Sequence, residues 1–124
     1  MTAVGVLCRI FDGQTRRDDK LKAGVGILME QIPEWTPATG RRQSKINMYY
    51  WYYATYAMFQ FGGAKWKEWN EAMIDALVRN QRVGGCEDGS WDPIGEWGIA
   101  GGRVYATAIG AMTLEVYYRY VRAQ

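Results

Sequence analysis

Nineteen consecutive residues, Ile46 to Ala64, carry no charge, and that run limits what the chain can fold into. An apolar segment of this length is either a membrane span or a helix buried on every side. Asn47, Gln60 and several tyrosines lie inside it, and such residues belong at a bilayer interface rather than at its centre. The reading is a buried helix. A helix that is apolar all round must be covered all round, and the rest of the chain supplies the cover. Breaks containing Pro33, Pro37, Pro93 and glycine pairs divide the chain into helices over about 3–11, 18–31, 44–61, 65–81 and 103–121. Ser44 is expected to cap the third, after a loop from Pro33 to Gly40, and Gly62-Gly63 to stop it. In the second, Leu21, Val25, Leu28 and Ile32 fall at helical spacing. The fourth gathers Trp66, Trp69, Met73, Ala76 and Leu77 on one face, with Glu71, Asp75 and Arg79 on the other, where Asp75 and Arg79 can pair. The fifth follows a loop with seven glycines from Gly84 to Gly102 and is again uncharged from Val104 to Leu114.

No stretch alternates as a half-buried strand does. The block Tyr49 to Tyr53 has β propensity, but it sits within a segment of helical length, where propensity is the weaker signal. The class is all-α. Helices one, three and five, each with an uncharged stretch, form an inner layer, and the amphipathic second and fourth cover it from outside. An internal repeat supports this order. Thr2-Ala3-Val4-Gly5-Val6-Leu7 matches Thr107-Ala108-Ile109-Gly110-Ala111-Met112, with Thr55-Tyr56-Ala57-Met58-Phe59 between them at offsets of 53 and 52. Leu28-Met29-Glu30-Gln31 aligns with Val78-Arg79-Asn80-Gln81 at an offset of 50. Each unit is a helix pair, and the single domain, residues 1–124, holds two and a half of them. Small residues on the inner helices, among them Gly5, Ala54, Ala57, Ala108 and Gly110, permit close backbone approach.

Composition excludes several kinds of function. Histidine is absent, and 15 basic residues against 13 acidic leave a net charge of +2. No histidine dyad can be built, and zinc loses its commonest ligand. The charge balance argues against nucleic acid as a partner, because no basic face dominates. The basic pairs Arg16-Arg17, Arg41-Arg42 and Lys65/Lys67 are scattered, mostly at helix ends. Two cysteines, Cys8 and Cys86, are too few for a disulfide framework and read as reduced thiols in a cytoplasmic protein. Arg9 interrupts the opening apolar stretch, so no signal segment is read there.

The junction between the fourth and fifth helices reads Leu77-Val78-Arg79-Asn80-Gln81, then Gly84-Gly85, then Asp88-Gly89-Ser90-Trp91-Asp92-Pro93. It resembles the Gln–Trp repeat of the squalene–hopene cyclases and the related prenyltransferase-type repeats. Gln81, Gly89 and Trp91 match the motif across a longer linker, and Gln31 with Trp35 is a degenerate copy in the first unit. The resemblance implies an open segment of an α/α toroid, which closes in that family with about six helix pairs. Its motif also has a physical rationale. A glutamine at a helix end can bridge an orphan carbonyl and the N–H groups opening the next helix, and a tryptophan over that amide excludes water.

Catalytic counterparts do not line up. The acid string of the cyclases is reduced here to Arg16-Arg17-Asp18-Asp19, which reads as helix N-terminal acids. The prenyltransferase zinc site lacks its ligands, and Gly85-Cys86-Glu87-Asp88 lacks the glutamine that a thioester needs. Asp88, Ser90 and Asp92 mimic the opening of a calcium loop, but Pro93 replaces its glycine and Ile99 stands at its twelfth position. Glu115 pairs with Arg119. The expectation is therefore a non-catalytic structural or binding module with no cofactor and no metal, set against a terpenoid-cyclase-like lobe acting on an isoprenoid. Tyr49, Trp51, Tyr53, Asp88, Asp92 and Tyr105 are the candidate ligand-facing residues, suited to an apolar small molecule or, in a cyclase, to a carbocation. Neither the first nor the fifth helix has the polar face of a cap. The chain is thus expected to self-associate as a two-fold dimer burying about 1,200 Å² or more, or to dock on the remainder of a larger toroid.

Overall fold

The structure is a computed structural model and describes residues 1–39 and 44–122. Gly40, at the end of the proline-rich loop, and the pair Arg41-Arg42 lie outside the described residues. Every element described is helical: α1 (Thr2–Phe11), α2 (Asp19–Met29), α3 (Met48–Phe61), α4 (Gly63–Val78), α5 (Gly95–Leu114) and α6 (Val116–Arg119), with a 3₁₀ turn at Gly85–Glu87. The all-α class holds. Among the described residues no helix is long and apolar enough to cross a membrane.

The uncharged helix α3 lies at the centre, with α1 on one side and α5 on the other; α2 packs on α1 and α4 packs on α3. The inner helices run in one direction. Phe11, ending α1, meets Tyr56 in the second half of α3 at 5.7 Å, and Trp97, opening α5, meets Tyr49, opening α3, at 6.0 Å. Helix α4 runs back along α3, its early Trp66 against Phe59 and its Trp69 against Tyr50. Helix α3 is not buried on every side as expected: Ala54, Ala57 and Met58, on its packed side, have no exposure, whereas Tyr49 is 43% exposed and Tyr52, Tyr53 and Tyr56 are half-buried. Trp69 is also fully enclosed, and its indole Nε1 donates to the buried Thr55 Oγ1 at 2.9 Å. That bond satisfies two polar groups that would otherwise be stranded.

Two expected boundaries shift. Ser44 does not cap α3; the Asn47 side chain does, accepting the Tyr50 N–H at 2.9 Å. The Ser44 hydroxyl accepts the Ile46 N–H at 3.1 Å and donates to the Thr36 carbonyl at 3.3 Å, so it closes the preceding loop instead. The fifth helix begins at Gly95 rather than Arg103 and ends at Leu114, and α6 follows after Glu115. Part of the glycine-rich segment is therefore helical. Gly102, at φ 70° and ψ −173°, kinks α5 in a conformation essentially reserved for glycine.

Candidate functional site

Two constellations follow from this frame: the junction after α4 and a tyrosine face on α3. At the junction, α4 ends with orphan carbonyls. The Trp91 indole Nε1 donates to the Leu77 carbonyl at 2.8 Å, and Asn80 Nδ2 donates to that of Ala76 at 2.9 Å. Gln81 takes a different part from the one its motif suggests. Its Nε2 donates to the Gly89 carbonyl at 2.7 Å, inside the loop. The tryptophan thus closes the helix end and the glutamine closes the loop, because the long linker sets Gln81 opposite Gly89. Backbone bonds from Gly89 N to Arg82 O (2.9 Å) and from Arg82 N to Ser90 O (2.8 Å) fasten the same loop.

Asp88 and Asp92 belong to this scaffold and not to the tyrosine face. Asp88 Oδ1 accepts the Gly84 N–H at 2.7 Å. Asp92 accepts Arg82 Nε at 2.9 Å and Arg103 Nη2 at 2.8 Å, and Arg103 also reaches Glu87 at 3.0 Å and Ser90 Oγ at 3.0 Å. The Arg82 guanidinium, and Arg103 with it, hold the Asp92 carboxyl below the ordinary carboxylate range against a smaller opposing effect of burial. A depressed folded-state pKa contributes stability that is complete at neutral pH and is lost as pH falls through that pKa. Asp92→Asn should therefore lower stability at pH 7, and the gap from the unsubstituted chain should shrink below pH about 4. Urea unfolding at several pH values measures it; a gap independent of pH would show that the charge on Asp92 contributes nothing.

Positions 49, 52, 53 and 56 share one face of α3, as helical spacing requires. Tyr49 and Tyr53 stand 4.9 Å apart, and Tyr52 and Tyr53 5.2 Å apart. From α5, Trp97 reaches Tyr49, and the Tyr105 hydroxyl is buried without a hydrogen-bond partner. The other half of the face is covered by the segment after α6. Tyr120 stacks on Tyr56 at 3.9 Å and bonds Tyr52, hydroxyl to hydroxyl, at 2.7 Å; Gln60 Nε2 holds the Val121 carbonyl at 2.8 Å. The hydroxyl pKa values move upward: burial acts first on Tyr52, Tyr56 and Tyr105, and a hydrogen bond to Tyr49 acts first on Tyr53. At neutral pH these hydroxyls stay protonated, so the face offers aromatic surface and neutral polar groups but no base.

Of the six expected ligand-facing residues, Tyr49, Tyr53 and Tyr105 meet on this face. Trp51 does not. Two positions from Tyr49 and from Tyr53, it points to the other side of α3, is 2% exposed and packs near Trp35. It reaches instead the wall of a cleft of about 810 Å³ between the end of α2 and the start of α3. There Tyr50 donates weakly to the Leu28 and Gln31 carbonyls, and burial pushes its hydroxyl up to about 12. Sequence reasoning missed Tyr52 and Tyr56, which the three- and four-residue spacing marks, and also Trp97 and Tyr120, which no local pattern marks. Cys8 and Cys86 are free and exposed. Among the described residues no three His, Cys, Asp or Glu side chains are grouped to hold a metal ion. Comparison with protein-family models, curated proteins and solved structures gives no match.

Proposed function

We propose that this chain is a non-catalytic module of α/α-toroid type that works by contact, its open sides taking up further helices and its tyrosine face an apolar ligand. The observation that carries this reading is the phase of burial along the repeated helices. In α1, Ala3, Val6, Leu7 and Ile10 are buried while Gly5 and Cys8 are exposed. At the matching positions of α5 the pattern reverses: Gly110 and Thr113 are buried and Ala108 is exposed. The reason is geometric, because α1 meets α3 on one side and α5 meets it on the other. In an array continued by the same step, both sides of every inner helix would be covered.

A second copy added head to tail supplies that cover, with Ala108 and Ala111 of one copy set against Gly5 and Cys8 of the next. This replaces the two-fold arrangement that open ends alone suggest. The outer layer is incomplete in the same place. Among the described residues no outer helix backs α5 as α2 backs α1, and Ile99 and Val104 are 78% and 84% exposed. Such a face exceeds the isolated apolar residue that surfaces tolerate. A cyclase lobe is the weaker reading, since it needs a proton donor on the tyrosine face, and Asp88 and Asp92 are engaged in the loop.

Light scattering at micromolar concentration should find species heavier than 14.2 kDa. In a Cys86→Ser background, Ala108→Cys should form a disulfide with Cys8 of a second copy under mild oxidation. A monomer that forms no such crosslink would remove the head-to-tail reading.

A further inference from the structure

We propose that the cleft between the α1–α2 turn and the end of α3 is a phosphate site, formed by Arg16 and Arg122. The cleft measures about 500 Å³, and Arg16, Arg17 and Arg122 line it with Thr15, Gln60 and Phe61. Arg16 and Arg122 stand far apart in sequence, yet both guanidinium groups converge on Gly62. The point a β-carbon on Gly62 would occupy is 3.4 Å from Arg122 Nη1 and closer still to Arg16 Nη2. Both arginines are exposed, so water weakens their mutual repulsion, and an anion between them would turn it into attraction on both sides.

No acidic side chain of the described residues takes that place. Two acids of the α1–α2 turn are engaged elsewhere: Asp18 accepts the Thr15 N–H at 2.7 Å, and Asp19 pairs with Lys22 at 3.1 Å. Asp12 is exposed and makes no ion pair with either arginine. The arginines are held by aromatic rings instead. Arg16 Cζ lies 5.7 Å from the Phe61 ring centroid, and Arg122 Cζ lies 4.9 Å from that of Phe59. Contact with a ring face positions a guanidinium and leaves its in-plane N–H groups free. Two oriented forks with free N–H groups match the tetrahedral oxygens of a phosphate, each able to bind bidentately. The first turn of α4, which starts at Gly63, contains no acid, and the carbonyl end of α3 at Gly62 offers the two guanidinium groups a partial negative charge.

The test is a titration of the full chain with inorganic phosphate, followed by ³¹P NMR and calorimetry, with sodium chloride balancing ionic strength. Saturable binding to one site is expected, absent when chloride replaces phosphate. Arg16→Gln and Arg122→Gln should each weaken it about tenfold or more, as loss of a charge-assisted hydrogen bond implies. Arg79→Gln, which removes a cation paired with Asp75 on the exposed face of α4, should leave it unchanged. Glycerol phosphate in a parallel titration separates sources: equal or tighter binding assigns the esterified group, weaker binding the free ion. Circular dichroism reports folding of each variant. Because the arginines come from separate segments, one variant failing to fold leaves the other decisive, and Arg16→Lys keeps the charge while losing the fork. Non-saturable binding, or full affinity in both glutamine variants, would overturn the assignment.

Discussion

Trp91→Ala is expected to lower the stability of the fold by about 3–5 kcal/mol, the range for removing a large buried aromatic. The ring is 2% exposed and packs on Gly110 of α5, where a β-carbon would stand 3.0 Å from it and 3.1 Å from the Met48 methyl group. Alanine would leave a cavity between α3 and α5 and free the Leu77 carbonyl at the end of α4. Trp91→Phe separates the two losses. It keeps most of the buried surface but removes the indole N–H, so about 1–3 kcal/mol is expected from the unsatisfied acceptor. Urea unfolding midpoints at constant m-value measure both. An unchanged midpoint for Trp91→Ala would mean that the ring does not close the junction.

The second large effect is expected at Gly95. Its φ of +81° costs an alanine about 1–2 kcal/mol. A β-carbon there would also collide with the Ile46 carbonyl oxygen, and overpacking of this kind adds about 1–3 kcal/mol. Gly13→Ala is the matched control. Gly13 also has positive φ, +87°, but nothing lies within 4 Å of its would-be β-carbon, so only the conformational part should appear. Thermal and urea unfolding should therefore rank Gly95→Ala clearly below Gly13→Ala. Equal losses would mean that the start of α5 does not press on the segment before α3.

Trp91 and Gly95 show two ways in which sequence carries structural information. Trp91 was legible: a tryptophan among glycines, just after an amphipathic helix, has few places to go except against that helix's end. Gly95 was not. Seven glycines in nineteen residues read as a loop, because local propensity counts each glycine as a break. Gly95 is instead the close approach of α5 to the backbone at Ile46, a contact between segments far apart in the chain. The tyrosine face divides similarly. Its α3 members follow from helical spacing, whereas Tyr120 enters only because the chain turns after α6 and crosses α3.

Although α1 and α5 keep exposed faces that the expected inner layer did not allow, the sequence by itself determined the helical class and the burial of most of the uncharged α3 segment. Both follow from the period and charge of single segments, which each helix expresses locally. Tertiary structure alone decided which face of each repeated helix is buried, since α1 and α5 carry matching residues and bury opposite sides. It also brought Arg16 and Arg122 to one point and turned Asp88 and Asp92 from expected ligand groups into loop fasteners. Those outcomes depend on which segments become neighbours. Neighbour choice is set by the combined packing of all the helices around α3, and no single segment encodes it.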